Sequence, residues 1–154
     1  VIGGPAARVM SLRDGTKKMS KSDPSDLSRI NMTDNSDMIA NKIRKAKTDQ
    51  YGLPSEPKGL EGRAEAQNLV SIYAALADQS VDSVLSEIGG KQSSDFKPML
   101  VERATEVLSP ISGEMGRIMQ DIPQLDKVLN DGALKAKSIA EPILKKTFDI
   151  IGLT

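Results

Sequence analysis

The stretch AQNLVSIYAALA, residues 66–77, indicates the fold class of this chain. Its apolar side chains recur at intervals of three and four residues, which places them on one face of an α-helix. They are Ala66, Leu69, Val70, Tyr73, Leu76 and Ala77. With only two Tyr and two Phe in 154 residues, the core is expected to consist of aliphatic helix faces rather than aromatic-rich strands.

Helices are predicted on both sides of this stretch. The first spans about residues 34–47, with Thr33 or Asp34 as its N-cap. Residues 51–62, between it and the helix above, are rich in glycine and proline and predict a loop. A short helix should begin after Ser80 as its N-cap and end at Gly89-Gly90 in a left-handed turn.

A longer helix is predicted from about Ser94, continuing past a bend at Pro110. Pro123 should start another short helix, and Asp131-Gly132 should form the turn before the last one, which ends at Gly152. Pro142 should bend this last helix. The methionine and leucine positions are expected to be core, and the last helix should bury Ala136, Ile139, Ala140, Ile143, Leu144, Phe148 and Ile151.

The first thirty residues depart from the helical pattern. Val9, Met10 and Leu12 form a short extended run after the segment containing Gly3, Gly4 and Pro5, and Asp14-Gly15 predicts a turn. The expected organisation is therefore the end of another domain over residues 1–30 and a helical domain over residues 31–154, which gives a mostly α fold.

Composition limits the possible functions. Lys plus Arg equals Asp plus Glu at 21 each, so any nucleic-acid contact must be a local patch. Cysteine and histidine are both absent, which excludes a zinc site of the usual kind and predicts no protein-bound metal. No apolar run approaches the ~20 residues of a membrane span, and no signal peptide is evident. We expect a cytoplasmic location without membrane contact, and the Val1 start suggests a piece of something longer.

The stretch KKMSKSDPSD, residues 17–26, concentrates lysines and serines ahead of the helices. A solvated loop explains the polarity. A second interpretation is a polyphosphate clamp, in which ammonium groups offset charge while hydroxyl and amide groups supply directed hydrogen bonds.

The order of these residues favours the clamp. Lys18-Met19-Ser20-Lys21-Ser22 resembles the KMSKS signature of the class I aminoacyl-tRNA synthetases. Its flanks resemble the tryptophanyl-tRNA synthetases, a resemblance that runs from about Ala7 to Leu153. The matching segments are ARVMSL at residues 7–12, TKK at 16–18, DP at 23–24, KIRKAKTD at 42–49, and DGA with KA at 131–136.

The resemblance implies ATP-dependent activation of tryptophan and its transfer to tRNA(Trp). Lys21 and Lys18 would be the catalytic residues, stabilising the leaving pyrophosphate with Mg²⁺. Ser20 and Ser22 would hydrogen-bond phosphate or fix the turn, and the backbone at Val9 and Met19 would hold the adenine side of ATP.

The resemblance also implies what the chain lacks. Class I synthetases carry a second, histidine-containing signature on a Rossmann-type domain, and this chain has no histidine. We therefore expect a C-terminal part, made of a short Rossmann remnant and a helical anticodon-binding bundle. It should be inactive alone, and the full-length enzyme should be a homodimer.

Basic residues on two predicted helices are candidate tRNA contacts. They are Lys42, Arg44, Lys45 and Lys47 on the first, and Lys135, Lys137, Lys145 and Lys146 on the last. The alternative is a solvated face, since lysines near helix C-termini also complement the helix dipole.

Two rival functions remain. A helical protein-interaction module could retain a synthetase-like sequence, although it would have no need of Lys18 and Lys21. The second rival is a different class I synthetase, such as a tyrosyl-tRNA synthetase, but the run RVMSL followed by KKMSKSDP argues against it.

Overall fold

The structure, a computed structural model, describes residues 7–153. Within these residues, five α-helices follow one another as α1 (Ser36–Arg44), α2 (Ala64–Ala77), α3 (Val81–Ile88), α4 (Ser93–Gln120) and α5 (Ile122–Ile151). Two 3-10 turns lie at Asp26–Ser28 and Pro57–Leu60. Over residues 7–153, the antiparallel bridge between Met10 and Lys18 is the one β-pairing observed. The mostly α fold class is confirmed, and no helix in this range is both long and apolar enough to cross a membrane.

The chain divides into two compact units, Val1–Gly113 (unit 1) and Glu114–Thr154 (unit 2). This division does not test the domain boundary expected after residue 30, which stays a prediction. The features expected at Gly3, Gly4 and Pro5 lie outside the described residues.

The core of unit 1 consists mainly of the apolar faces of its helices, including the face predicted for α2. Its largest fully buried apolar side chains come from the segment before α1 and from α1 to α4, and they are Leu12, Ile39, Ile43, Val70, Val84, Leu85, Ile88, Phe96 and Leu100. The rings of Tyr73 and Phe96 pack at a tilt, with centroids 5.7 Å apart. Burial of this apolar surface is the main stabilising contribution to unit 1.

Helix termini in unit 1 agree only in part with prediction. Ser80 caps α3 by accepting a hydrogen bond from the Ser83 N–H at 3.1 Å, and Gly90 adopts the left-handed conformation with φ of 81°. The N-cap predicted for α1 is wrong, because Asn35 accepts the Met38 N–H at 2.9 Å. Asp34 is not free to cap, since its carboxylate accepts hydrogen bonds from Asn31 and Lys42.

The turn predicted at Asp131-Gly132 is wrong, because α5 runs without interruption from Ile122 to Ile151. A glycine inside a helix costs about 1 kcal/mol, which is small compared with nucleating a second helix. An ion pair of 2.8 Å between Lys127 and Asp131 supports the helix across this position. The predicted end is confirmed, since Gly152 is left-handed with φ of 74°.

The buried face predicted for the last helix is also wrong. None of the residues of α5 is buried, and Ile139 and Ile143 are 62% and 65% exposed. In α4, Ile118 and Met119 are exposed as well, and Met119 contradicts the expectation that the methionine positions are core. Unit 2 comprises the end of α4 and the helix α5, and its described residues, 114–153, contain no further helix to cover these apolar side chains.

Candidate functional site

Residues 17–23, here called the lysine loop, stand on a short two-stranded stem. The Ser11 N–H donates to the Lys17 carbonyl at 2.8 Å, and the Met19 N–H donates to the Val9 carbonyl at 3.1 Å. Leu12, which is buried, donates its N–H to the Ser28 carbonyl at 2.9 Å beyond the loop. The predicted extended run is confirmed at Val9 and Met10, whereas the chain bends at Leu12.

The predicted turn at Asp14-Gly15 precedes the loop and is confirmed. The Asp14 carboxylate accepts the Thr16 hydroxyl at 2.6 Å and the Thr16 N–H at 3.1 Å, and it pairs with the Lys17 ammonium at 3.1 Å. These contacts, the Thr16 hydroxyl foremost, lower the pKa of Asp14 to about 2. Gly15 is required by close packing, because a Cβ there would lie 2.5 Å from the Ala64 carbonyl carbon of α2.

The loop presents its charged side chains to solvent. Lys18 and Lys21 are exposed, and neither forms an ion pair with any residue that the structure describes. Met19, between them, is half-buried and packs against the unit 1 core. The two ammonium groups are therefore accessible to an external anion, while the intervening methionine attaches the loop to the protein.

Ser20 shapes the turn that follows. Its hydroxyl accepts the Ser22 N–H at 3.2 Å, and its carbonyl accepts the Asp23 N–H at 3.4 Å. These are long hydrogen bonds within an exposed segment, so they hold the turn only weakly.

Asn68 of α2 anchors the stem and was not anticipated from the sequence. It is 6% exposed, and its side chain pairs with both backbone groups of Met10: Oδ1 accepts the N–H at 2.9 Å and Nδ2 donates to the carbonyl at 2.9 Å. The sequence signal that could have revealed Asn68 was its position beside Leu69 on the apolar face of α2. Such a residue must find partners when it is buried.

The other end of the loop is held by Arg29. Its guanidinium donates to the Asp23 carbonyl at 2.9 Å and pairs with Asp26 at 3.1 Å. Asp26 also pairs with Lys42 of α1 at 2.7 Å. The lysine loop is thus attached to α2 at its stem and to α1 at its far end.

Lys42 does not have the exposed position that a tRNA contact requires. Its side chain is 4% exposed and its ammonium lies 2.5 Å from the Asp34 carboxylate, so it is not accessible to tRNA phosphates as the sequence suggested. The remaining basic residues of this helix end differ from it. Arg44 and Lys45 are exposed, and Lys47 is exposed but pairs with Glu65 at 2.8 Å, an interaction that raises the pKa of Lys47.

Lys135 is exposed on α5. Lys97 of α4 donates to the carbonyls of Arg44 at 2.9 Å and Ala46 at 2.8 Å, where it satisfies the C-terminal end of α1. No three acidic side chains among residues 7–153 come together as a metal site would require.

Comparison with known proteins gives a consistent result. Residues 4–109 match the family described as class I tRNA synthetases (W and Y). The chain is 63% identical over 153 residues to a tryptophan–tRNA ligase of Mesorhizobium japonicum and 60% identical over 152 residues to one of Rhizobium meliloti. Each alignment covers 99% of this chain and 43% of the relative, so the chain spans less than half the length of these relatives.

A solved structure agrees. The crystal structure of tryptophanyl-tRNA synthetase from Mycoplasma pneumoniae superposes with a TM-score of 0.77 at 26% identity. The match covers 96% of this chain and 44% of that one.

Proposed function

Because the chain belongs to the family of class I tRNA synthetases (W and Y), we propose that it is the C-terminal part of a tryptophan–tRNA ligase. The full-length enzyme, meaning this chain together with the remainder that its relatives contain, would activate tryptophan with ATP and transfer it to tRNA(Trp). Tryptophan rather than tyrosine is favoured because the relatives at 63% and 60% identity are both tryptophan–tRNA ligases.

The observation that carries the proposal is the exposed lysine loop on a fixed stem. Lys18 and Lys21 are accessible, while Met19 and the stem hydrogen bonds attach the loop to unit 1. Negative charge develops on pyrophosphate as the tryptophan carboxylate attacks the α-phosphate of ATP. A cation held near that position stabilises the transition state more than the ground state. Lys21 is assigned this role first and Lys18 second.

The backbone near the stem limits how ATP can be held. Val9 and Met19 are proposed to contact the adenine side of ATP, but the Val9 carbonyl and the Met19 N–H are bonded to each other. The Val9 N–H and the Met19 carbonyl are the groups left for this contact. Ser22 would donate its hydroxyl to phosphate. Mg²⁺ would arrive bound to the ATP phosphates, since residues 7–153 contain no acidic cluster to hold it.

The helical part is proposed to bind tRNA. Arg44, Lys45 and Lys135 are exposed cations that can contact phosphates, and Lys47 can do so if it leaves Glu65. We also propose that residues 1–30 are the end of the catalytic domain and that residues 31–154 form a tRNA-binding domain. The full-length enzyme is proposed to be a homodimer.

Amino-acid-dependent exchange between ATP and pyrophosphate tests this function in the full-length enzyme. Tryptophan should support exchange and tyrosine should not, whereas the 154-residue chain alone should show none. Exchange with tyrosine instead would support the tyrosyl alternative. A full-length protein that binds partners yet exchanges with neither amino acid would support the interaction module.

A further inference from the structure

We propose that Lys42 and Asp26 are positioning residues that hold the far end of the lysine loop in its active geometry. The inference rests on the proposed function, because it concerns the step that Lys21 would assist. Neither residue belongs to the motif itself, and neither needs to touch ATP.

The anchor begins inside unit 1. Asp34, just before α1, is 1% exposed, and Lys42 of α1 is 3% exposed. The Lys42 ammonium donates to the Asp34 carboxylate at 2.5 Å and to the Asp26 carboxylate at 2.7 Å. A charge removed from water in this way is tolerated only when it is paired and hydrogen-bonded, so these partners are fixed relative to one another.

Asp26 connects the buried ion pair to residues nearer the lysine loop. Its side chain is 52% exposed, and its second oxygen accepts from Asn31 at 3.0 Å and pairs with Arg29 at 3.1 Å. Arg29 in turn donates to the Asp23 carbonyl at 2.9 Å. Asp23 directly follows Ser22, the last residue of the motif. A continuous path therefore joins a buried ion pair to the end of the lysine loop.

The loop needs such an anchor, because the hydrogen bonds within its turn are long. They measure 3.2 Å and 3.4 Å and lie in an exposed segment. Electrostatic catalysis depends on where the charge sits, and a misplacement of about 1 Å can reduce a rate by roughly a hundredfold. Ground-state binding of ATP draws on several contacts and should change less.

Two variants of the full-length enzyme test the path, with adenylate formation and ATP affinity measured separately. Asp26→Ala is the main variant because it breaks the path at a half-exposed residue without stranding a buried charge. Lys42→Met breaks it at the buried end. We expect the rate of adenylate formation to fall about tenfold to a hundredfold, with ATP affinity changed less than about threefold. Asp26→Glu should recover part of the rate.

Lys97→Met is the matched control. It also removes a lysine that bonds to α1, but Lys97 contacts the helix end and not the path to the loop. Hydrogen exchange gives a readout that does not depend on activity. In the 154-residue chain, Asp26→Ala should increase amide exchange over residues 20–28 and leave exchange in α2 unchanged, whereas Lys97→Met should leave exchange over residues 20–28 at its wild-type rate.

The outcomes separate the two proposals. A wild-type enzyme without tryptophan-dependent exchange overturns the proposed function and with it the catalytic role, while hydrogen exchange still decides whether Asp26 anchors the loop. With an active wild type, three results overturn the inference. These are a normal rate in Asp26→Ala, a reduced rate without increased exchange over residues 20–28, and an equal reduction in Lys97→Met.

Discussion

Two lysines in different regions of unit 1 illustrate how the surroundings of a side chain determine its role. Lys21 in the lysine loop is exposed, and its ammonium pairs with no residue in the part of the chain that the structure describes. Lys42 in α1 is 3% exposed and lies between Asp34 and Asp26. Lys21 is accessible to an external anion, whereas Lys42 is held inside unit 1 by two carboxylates. Residue type and local sequence charge do not distinguish the two.

The difference predicts opposite effects of removing each charge. Loss of Lys42 should reduce the free energy of unfolding, because the Asp34 carboxylate would remain buried without its positively charged partner. Loss of Lys21 should leave folding unchanged and affect the reaction.

Lys42→Met should have the largest effect. Breaking a buried ion pair by removing one partner lowers the free energy of unfolding by about 3–5 kcal/mol. Chemical denaturation of the 154-residue chain measures it. The double variant Lys42→Met/Asp34→Leu removes the stranded carboxylate and should recover most of the loss. If Lys42→Met alone stays within about 1 kcal/mol of wild type, the ion pair of Lys42 contributes no more stability than the exposed side chain of Lys21.

Asn68→Ala should have the next largest effect. The substitution leaves the N–H and carbonyl of Met10 without their side-chain partners, at a cost of about 1–3 kcal/mol. The neighbouring residue Gln67 is exposed, so Gln67→Ala serves as the control and should stay within about 0.5 kcal/mol of wild type. Equal effects of the two substitutions would show that the stem does not depend on Asn68.

The ion pair between Asp49 and Arg63 is partly exposed, so its burial is intermediate between that of Lys42 and that of Lys21. Two hydrogen bonds of 2.7 Å and 2.8 Å join the groups, and Arg63 lowers the pKa of Asp49 from 3.8. A lowered carboxylate pKa contributes stability above pH 3.8 that is lost as the pH falls through the lowered value. We expect a contribution on the order of 1 kcal/mol.

Unfolding of wild type and Arg63→Gln across this pH range provides the test. The stability difference between the two proteins should shrink as acid protonates Asp49. A difference that is independent of pH would exclude the ion pair as its cause.

The double substitution of Arg44 and Lys45 by Gln should change unfolding by less than about 0.5 kcal/mol, since both side chains are exposed. In the full-length enzyme it should weaken tRNA binding and reduce the salt dependence of affinity by about one counterion per lost phosphate contact. Adenylate formation should stay at its wild-type rate. Unchanged tRNA affinity and salt dependence would identify these residues as a solvated face.

Apolar spacing predicted the helices of unit 1 correctly because each has a partner to pack against. The same spacing in α5 predicted a buried face, and that was wrong, because periodicity shows which face is apolar and not what covers it. The turn that the sequence predicts at Asp131-Gly132 is also wrong, because a helix can include one glycine.

The motif and its stem could be predicted from the sequence because their residues are contiguous. The side chains that anchor them could not. Asp34 and Lys42 are eight residues apart, and Asn68 meets Met10 across 58 positions. Residues 42–47 appear in the sequence as one basic cluster, and only the three-dimensional packing distinguishes the buried Lys42 from the exposed Arg44 and Lys45.

Lys21→Ala should have the smallest effect on unfolding, within about 0.5 kcal/mol, because an exposed loop lysine buries little surface. Pre-steady-state adenylate formation by the full-length enzyme, with ATP affinity titrated separately, is the most direct test of its proposed role. The rate should fall roughly a hundredfold or more, equivalent to ~3 kcal/mol, while ATP affinity changes far less. Lys21→Arg should restore only part of the rate, since a planar guanidinium does not reproduce a compact ammonium. Wild-type rates in both variants would contradict the account and leave Lys21 as a solvated side chain.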